Sequence, residues 1–500
     1  MLADVESLDD RARADATATD GADGEDQDGA SGASGVSLNQ IVALLLAVVG
    51  VRIGLASLHD NSFFTHLATG RLILEHGHIP RTDPYSFTAH GTDWTVQSWG
   101  ASVIFAVVEK VVGLVGIRIL VAACCVALTQ LVWRLTSTAT TLIGRLVVAI
   151  PVVIVGSGYW VERPLIFSLL LLMAVLFALE DRLDPRWMVP VMWCWVNVHG
   201  SFPIALVAIV AFGFGRLLDR ERPTTELKVL GWASLGTLAG GILSPLGWRL
   251  LVFPFQLLQR RDAFVHITEW KSPTWSTVGE LFFAIQLAVA LGLILMRGRR
   301  WRNVVPVVLF GALSLQASRN IVHASLIMIP AMTAAAAGLG TIDGRTPQRI
   351  LRPVRAALVV LFLLVATLGV VDQPNVDLED YPVASVVWMR QHGLLDRSDR
   401  VVTRDFVGNF LEVKYGPDKV RTFFDDRVDM YPIAVIDQYG VLIQPHGDYQ
   451  KVLDDVGASA VLWDTDSDLG DWLEDPANGW KIIHREPGWV VARPPAERTD

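Results

Sequence analysis

Asp60 stands near the start of the stretch LHDNSFFTHLATGRLILEHGHIPRTDPYSFTAHGTDWTVQSWGASVIF, residues 58–105, which follows the first long apolar run of the chain. A carboxylate at such a junction meets lipid on one side and water on the other. It could take the proton of an acceptor hydroxyl while a lipid-borne substrate stays in the membrane. The plainer alternative is that Asp60 ends a helix and faces water. Arg163, in Glu162-Arg163-Pro164, opens a later apolar run. Its planar guanidinium suits a phosphate, with two parallel N–H donors meeting two oxygens; the simpler alternative is an ion pair with Glu162. Arg319, followed by Asn320 and His323, opens another run and has the same two readings, phosphate ligand or snorkelling cation. Asn197 and His199 in WCWVNVHG interrupt an apolar run, and either line a cavity or join two short helices. Asp425-Asp426-Arg427 could bind a metal or an acceptor glycan, but reads first as a strand-end turn with an ion pair rather than a catalytic centre.

Other chemistries find no support. His76 and His78 come without HExxH or CxxC spacing, so no metal site is assigned to them. No Walker loop is present and no GxGxxG follows a strand, which argues against ATP hydrolysis and a nucleotide fold. The net charge of −9 makes nucleic acid a poor partner. Most of that charge sits in residues 1–36, which hold ten acids and two arginines. This segment has almost no large apolar side chains, and the expectation is a disordered, acidic, cytoplasmic tail.

The elements that must position these residues are membrane helices. The 500 residues are 52% hydrophobic and only 19% charged, with a mean hydropathy of +0.40, too little polar surface for three soluble domains. A hydrocarbon core of about 30 Å needs about 20 helical residues. Apolar runs near 38–58, 116–135, 142–160, 164–181, 187–198, 201–217, 229–244, 279–296, 303–318, 321–339 and 356–371 give about eleven transmembrane helices between residues 37 and 371. Residues 98–115 read as a further span or as a helix lying at the interface. Sixteen Arg and Lys fall in one alternate set of loops and eight in the other. The positive-inside rule then puts the N-terminus in the cytoplasm and the C-terminus outside, with residues 59–97 as a large first outer loop. All eleven histidines, His266 among them, fall on the outer side in this topology. Polar groups at membrane depth are costly and mark pathways or sites, so the one-sided collection argues for chemistry at the outer boundary.

Residues 372–500 change character, with shorter apolar runs and frequent acids. An amphipathic helix over 384–395, strands over 401–406, 420–425 and 459–463 and a hairpin near 481–493 predict a small extracytoplasmic α/β domain. Cys124, Cys125 and Cys194 all lie in expected spans, so no disulfide staples this domain.

The segments HLATGRLILEHGHIPRTDPYSFTAHGTDW, SW, ERPLIFS, WVNVHGSF, LSPLGWRLL, ITEWKSP and SRNIVHAS, spread over residues 60–325, together with FFDDRVDMYP near the C-terminus, resemble bacterial multi-spanning glycosyltransferases of the GT-C superfamily. That group includes protein mannosyltransferase-like and arabinofuranosyltransferase-like enzymes. The resemblance implies a GT-C-like membrane fold and transfer of a sugar from a polyprenyl-phosphate donor to an extracytoplasmic glycan, lipid or protein. It places the catalytic carboxylate on Asp60 as general base. Many relatives carry Asp-x-Asp there; here Ser62 stands at the second position, so a divalent cation is doubtful and Asp60 is the one carboxylate of the motif. In this reading Arg163 and Arg319, then Arg71, bind the phosphate, and His66, Asn197, His199, Glu269 and Trp99 complete the substrate-binding set. Trp160 and Trp270 are further residues for stacking on the sugar. Two alternatives stay open: an inactive relative that binds envelope partners, motivated by Ser62, and, less favoured, a lipid or polymer transporter.

Overall fold

The computed structural model describes residues 36–264, 268–297, 299–340 and 346–495. The tail expected over residues 1–36, apart from Val36, lies outside the described residues, as does His266.

Helices dominate as far as residue 371. They are α1 (Leu38–Gly54), α2 (Asn61–His76), α3 (Trp99–Val112), α4 (Leu114–Leu135), α5 (Leu142–Ser157), α6 (Leu165–Leu179), α7 (Met188–Val198) and α8 (Pro203–Leu218). They continue as α9 (Thr224–Ile242), α10 (Arg249–Gln259), α11 (Val278–Arg297), α12 (Trp301–Gln316), α13 (Ile321–Ile327), α14 (Ile329–Ala336) and α15 (Gln348–Val371). Each apolar run of the sequence except 321–339 becomes a single helix. Three helical stretches among the described residues, Leu114–Thr138, Val278–Arg297 and Gln348–Val371, are long and apolar enough to cross a membrane, while α1, α5, α6 and α8 are shorter apolar helices. α15 leaves Val359, Val360, Leu363 and Leu364 exposed, a face suited to lipid rather than water.

One expectation changes here, and one open choice narrows. The run 321–339 is not one helix: α13 and α14 meet at Met328, with Pro330 in the first turn of α14, where a missing N–H costs nothing. Residues 98–115 give the 14-residue α3, about 21 Å long at 1.5 Å per residue, which packs along α2 and not as a full-length span.

α1 packs between α4 and α15. Gly50 and Gly54 lie four residues apart on the face turned to α4. A Cβ on Gly54 would stand 2.3 Å from Ala122 Cα, and one on Gly50 would stand 2.9 Å from Val126 Cα. Only glycine allows the two backbones this close, the small-residue packing familiar from membrane helices. On the neighbouring face α15 packs Phe362, Val365, Ala366 and Val370 against Val51, Leu55 and Ala122. Arg118, fully buried on α4, donates to the carbonyls of Leu55 (2.6 Å) and Ala56 (3.2 Å), and of Gly369 and Gln373, fastening the ends of α1 and α15 together.

Beyond residue 371 come α16 (Val383–Gln391), α17 (Asp405–Tyr415), α18 (Ile433–Ile443), α19 (Tyr449–Asp455) and α20 (Asp468–Glu474), around strands β1 (Val401–Thr403), β2 (Ala460–Asp464), β3 (Lys481–Glu486) and β4 (Trp489–Arg493). The sheet order is β1-β2-β4-β3, parallel between β1 and β2 and antiparallel elsewhere. The expected helix, two strands and the final hairpin are found. The strand expected over 420–425 is not. Its backbone pairs instead with the segment before α3: Phe87 N donates to Thr422 O (2.9 Å) and Thr422 N to Tyr85 O (3.0 Å). Backbone groups must be paired somewhere, and here the partner is the first long loop and not the sheet.

Arg427 is the centre of the same junction. It donates to both oxygens of Asp425 (2.9 and 2.5 Å), to Asp83 Oδ1 (2.8 Å) and to Glu412 Oε1 (3.3 Å), and lies over the rings of Tyr85 and Trp94. Asp425 also accepts from the Tyr431 hydroxyl at 2.5 Å. One buried guanidinium thus joins residues 83–94 to the α/β part. The expected ion pair at Asp425-Asp426-Arg427 is present, and it is larger than a local turn.

Candidate active site

The turn between α1 and α2 carries Asp60. Glu162, buried just before α6, accepts the backbone N–H groups of His59 (2.5 Å) and Asp60 (2.7 Å). Glu162 therefore does not pair with Arg163; it fixes the backbone at Asp60. Asp60 is the N-cap of α2, and its Oδ1 accepts from Ser62 N (3.0 Å) and Ser62 Oγ (2.7 Å). Asp, Ser and Asn are favoured at this position because a short oxygen-bearing side chain satisfies the free N–H groups of the first turn. Ser62 steadies Asp60 through both its backbone N–H and its hydroxyl.

The other Asp60 oxygen, Oδ2, accepts from Arg163 Nε, and Arg163 Nη1 donates to Glu269 Oε1. Arg163 is thus shared by two carboxylates from separate segments. Burial opposes its charge, but Asp60 and Glu269 outweigh that and hold it above its ordinary range. Arg163 occupies the place between Asp60 and Glu269 that a cation would take. Among the described residues no group of three His, Cys, Asp or Glu could hold a metal ion. As placed, these side chains do not fit a divalent site, and the positive charge here belongs to Arg163.

Arg319 sits beside this pair, between α12 and α13. Its guanidinium lies 4.2 Å from the ring of Trp270, which stacks on Phe264 at 4.4 Å. Ser318 N donates to Lys271 O (2.9 Å), which holds Arg319 against the segment carrying Glu269. Burial draws Arg319 below its usual range; Glu269 offsets part of this and Arg163 adds to it. Among the described residues Arg319 has no carboxylate within ion-pair distance.

Histidines complete the surround. His66, on α2, is pushed down to about 4 by burial, with Asp60 opposing and Arg163 assisting; its Nδ1 lies 3.1 Å from Ser102 Oγ. His199, just past α7, is lowered by burial and by the neighbouring charges of His323, Arg319, His66 and Arg163, and its Nδ1 is 2.7 Å from Ser201 Oγ. Neutral imidazoles can accept or donate one hydrogen bond without adding charge.

Asp60, His66, Arg163, His199, Glu269 and Arg319 thus share one electrostatic neighbourhood. Arg71 does not. Eleven residues along α2 from Asp60, it pairs with Glu109 (3.0 Å) and donates to Val413 O (2.8 Å), tying α2 to α3 and α17. Asn197 and Trp99 bind each other: Trp99 Nε1 donates to Asn197 Oδ1 (3.0 Å), and Asn197 Nδ2 donates to Trp193 O and Gly240 O. Their polar atoms hold α3, α7 and α9 together. Trp160 is 1% exposed and unavailable for stacking on a sugar.

Sequence reasoning passed over Tyr381 and set Asp426 aside, and both stand at the edge of this cluster. Tyr381, before α16, feels the charges of Asp60, Asp426 and Asp405. Asp426 is half-buried, and after Asp425 the charges acting on it most are Asp60 and Arg163. No local motif marks Tyr381. Asp426 lay in plain view in FFDDR, but the charges of Asp60 and Arg163 that act on it come from far upstream in the sequence.

No family model matches the chain, and no curated protein matches it in sequence. Solved structures do match in fold. The archaeal oligosaccharyltransferase AglB from Archaeoglobus fulgidus, solved in complex with an inhibitory peptide and a dolichol-phosphate, superposes with a TM-score of 0.50 over 91% of this chain and 74% of its own. At 12% identity the likeness shows shared architecture alone: the chain folds like this oligosaccharyltransferase.

Proposed function

We propose that this protein is a membrane glycosyltransferase that moves a sugar from a polyprenyl-phosphate donor to a hydroxyl on a glycan, lipid or protein acceptor. The carrying observation is the pairing pattern at the site. Arg163 is neutralised by Asp60 and Glu269, while the adjacent Arg319 has no ion-pair partner among the described residues. A spare guanidinium beside a fixed carboxylate suits an anionic leaving group next to an attacking hydroxyl. The GT-C-like fold, and the dolichol-phosphate named in the AglB complex, support the same donor class.

In this reading Arg319 holds the lipid phosphate, and the neutral His66 and His199 contact the sugar or its phosphate. Ser62 and Arg163 keep Asp60 aimed, and the second lone pair of Oδ2 accepts the acceptor hydroxyl as general base. Glu269 keeps Arg163 in place. Phosphate is already a good leaving group, so positioning and charge stabilisation supply most of the rate. The topology belongs to the same proposal: cytoplasmic residues 1–36, a membrane part over 37–371, and residues 372–500 on the extracytoplasmic side with the site.

The test is incubation of purified protein with radiolabelled polyprenyl-phosphate sugars and envelope acceptors. The expected result is labelled product with release of polyprenyl phosphate. A protein that turns over no donor, and that binds polyprenyl phosphate no better than its Arg319→Ala variant, contradicts the proposal and favours the inactive, partner-binding alternative.

A further inference from the structure

Asp60 does not stand alone against the α/β part. Asn409, buried on α17, accepts from Asp426 N (3.2 Å) and from Thr65 Oγ1 (3.0 Å), and donates to Asn61 O (3.2 Å). One amide thus bolts the backbone of Asp426 to the first turn of α2, the turn that Asp60 caps. The two aspartates differ in their company. Asp60 accepts from Ser62 and from Arg163. Among the described residues the carboxyl of Asp426 has no hydrogen-bond or ion-pair partner, and it is half-buried, within reach of a bound molecule.

On the reading that the protein is a glycosyltransferase, we infer that Asp60 and Asp426 act as a carboxylate pair, with Asp426 the catalytic residue on which the acceptor's proton comes to rest. Two carboxylates in one confined site do not both stay charged easily, and the proton goes to the one without a cation. Here Arg163 belongs to Asp60. The acceptor oxygen bonds to the anomeric carbon as the bond from that carbon to the phosphate oxygen breaks. That electron pair leaves on the lipid phosphate. The hydroxyl proton passes to Asp60 Oδ2 and on to Asp426, which later releases it to water.

The surroundings of Asp426 agree. Burial and the charges of Asp425, Asp60 and Asp405 push its carboxyl up, against the pull of Arg163, to about 8. Tyr381 faces the same charges from the start of α16. A proton acceptor works best when its affinity lies near the operating pH. The C-terminal part would then complete the reacting centre as well as dock on it.

The experiment compares wild type, Asp426→Asn and Asp426→Glu as full chains in lipid vesicles, using polyprenyl-phosphate sugars as donors from pH 5.5 to 9.5. The expected results are a wild-type rate rising to a plateau with a midpoint near 8, and a loss of about 100-fold or more in kcat in Asp426→Asn, with the donor KM within twofold. Asp426→Glu restores part of the rate and the pH dependence. Thermal midpoints check the fold: Asp426→Asn already exceeds wild type at pH 5.5, where the unfolded carboxyl is ionised and the folded one still holds its proton, and the difference grows until it levels off near pH 8. A wild type that transfers from a donor, with Asp426→Asn equal to it at every pH, overturns this inference alone. A wild type that turns over no donor overturns the glycosyltransferase reading and this inference together.

Discussion

Arg163 Nε donates to Asp60 Oδ2 across 103 positions of sequence, and its Nη1 reaches Glu269 at the same time. The charge at the start of α6 is therefore a bracket between two segments rather than an isolated anion site. Replacing Arg163 with Ala leaves two carboxylates facing each other. The expected cost is about 1–2 kcal/mol of stability, below the 3–5 kcal/mol of a fully buried pair because Arg163 is 30% exposed. Arg163→Lys keeps the charge but cannot span both partners, and restores stability better than it restores transfer. Chemical unfolding midpoints and transfer rates separate the two effects.

Arg319 is expected to behave differently. Its removal breaks no ion pair, so Arg319→Ala is expected to leave stability within about 0.5 kcal/mol. It weakens binding of polyprenyl phosphate by about 1.5–3 kcal/mol, roughly 10–150-fold, the worth of hydrogen bonds to a charged group. Binding measured with labelled polyprenyl phosphate in vesicles checks this. Arg319→Lys recovers part of the affinity, as a point charge without the guanidinium fork.

The Arg427 cluster holds residues 83–94 to α17 and to the segment before α18. Arg427→Leu buries Asp83, Asp425 and Glu412 without their cation, at a cost of about 3–5 kcal/mol. Hydrogen exchange is expected to rise first at Tyr85, Phe87 and Thr422, whose backbone bonds depend on that junction. Unchanged exchange there would contradict the role given to Arg427.

His66 gives a pH signature. Burial, with a smaller contribution from Arg163, lowers it from 6.5 to about 4 against the pull of Asp60. Below pH 6.5 the unfolded chain takes up a proton that the folded one refuses. The contribution of His66 is therefore fully present above about 6.5 and is lost as pH falls towards 4. Thermal midpoints of wild type should fall over that window more steeply than those of His66→Gln.

Much of the fold was legible because apolar helices write themselves as apolar runs in the sequence. Strands β1 and β2 and the final hairpin likewise followed from short apolar runs. What failed did so for non-local reasons. Residues 420–425 look like a sheet strand but find their partner in Tyr85 and Phe87, and a single long run hid the break between α13 and α14. At the site, the residues at the ends of apolar runs, Asp60, Arg163 and Arg319, do come together, since charged groups there have few other places to go. Glu162 looked like the partner of Arg163 by adjacency, yet its carboxylate faces the backbone of the α1–α2 turn. Asn197 and Trp99 carry functional-looking chemistry that packing consumes. Tyr381 and Asp426 were hidden because their meaning depends on how residues 372–495 dock.

The most direct measurement is sugar transfer by Asp60→Asn against wild type, in vesicles containing a labelled polyprenyl-phosphate sugar and acceptor. Asn keeps the cap on α2 and removes the charge, so folding and donor binding are expected to persist while transfer falls by about 100-fold or more. An Asp60→Asn protein that transfers sugar as fast as wild type would contradict the account.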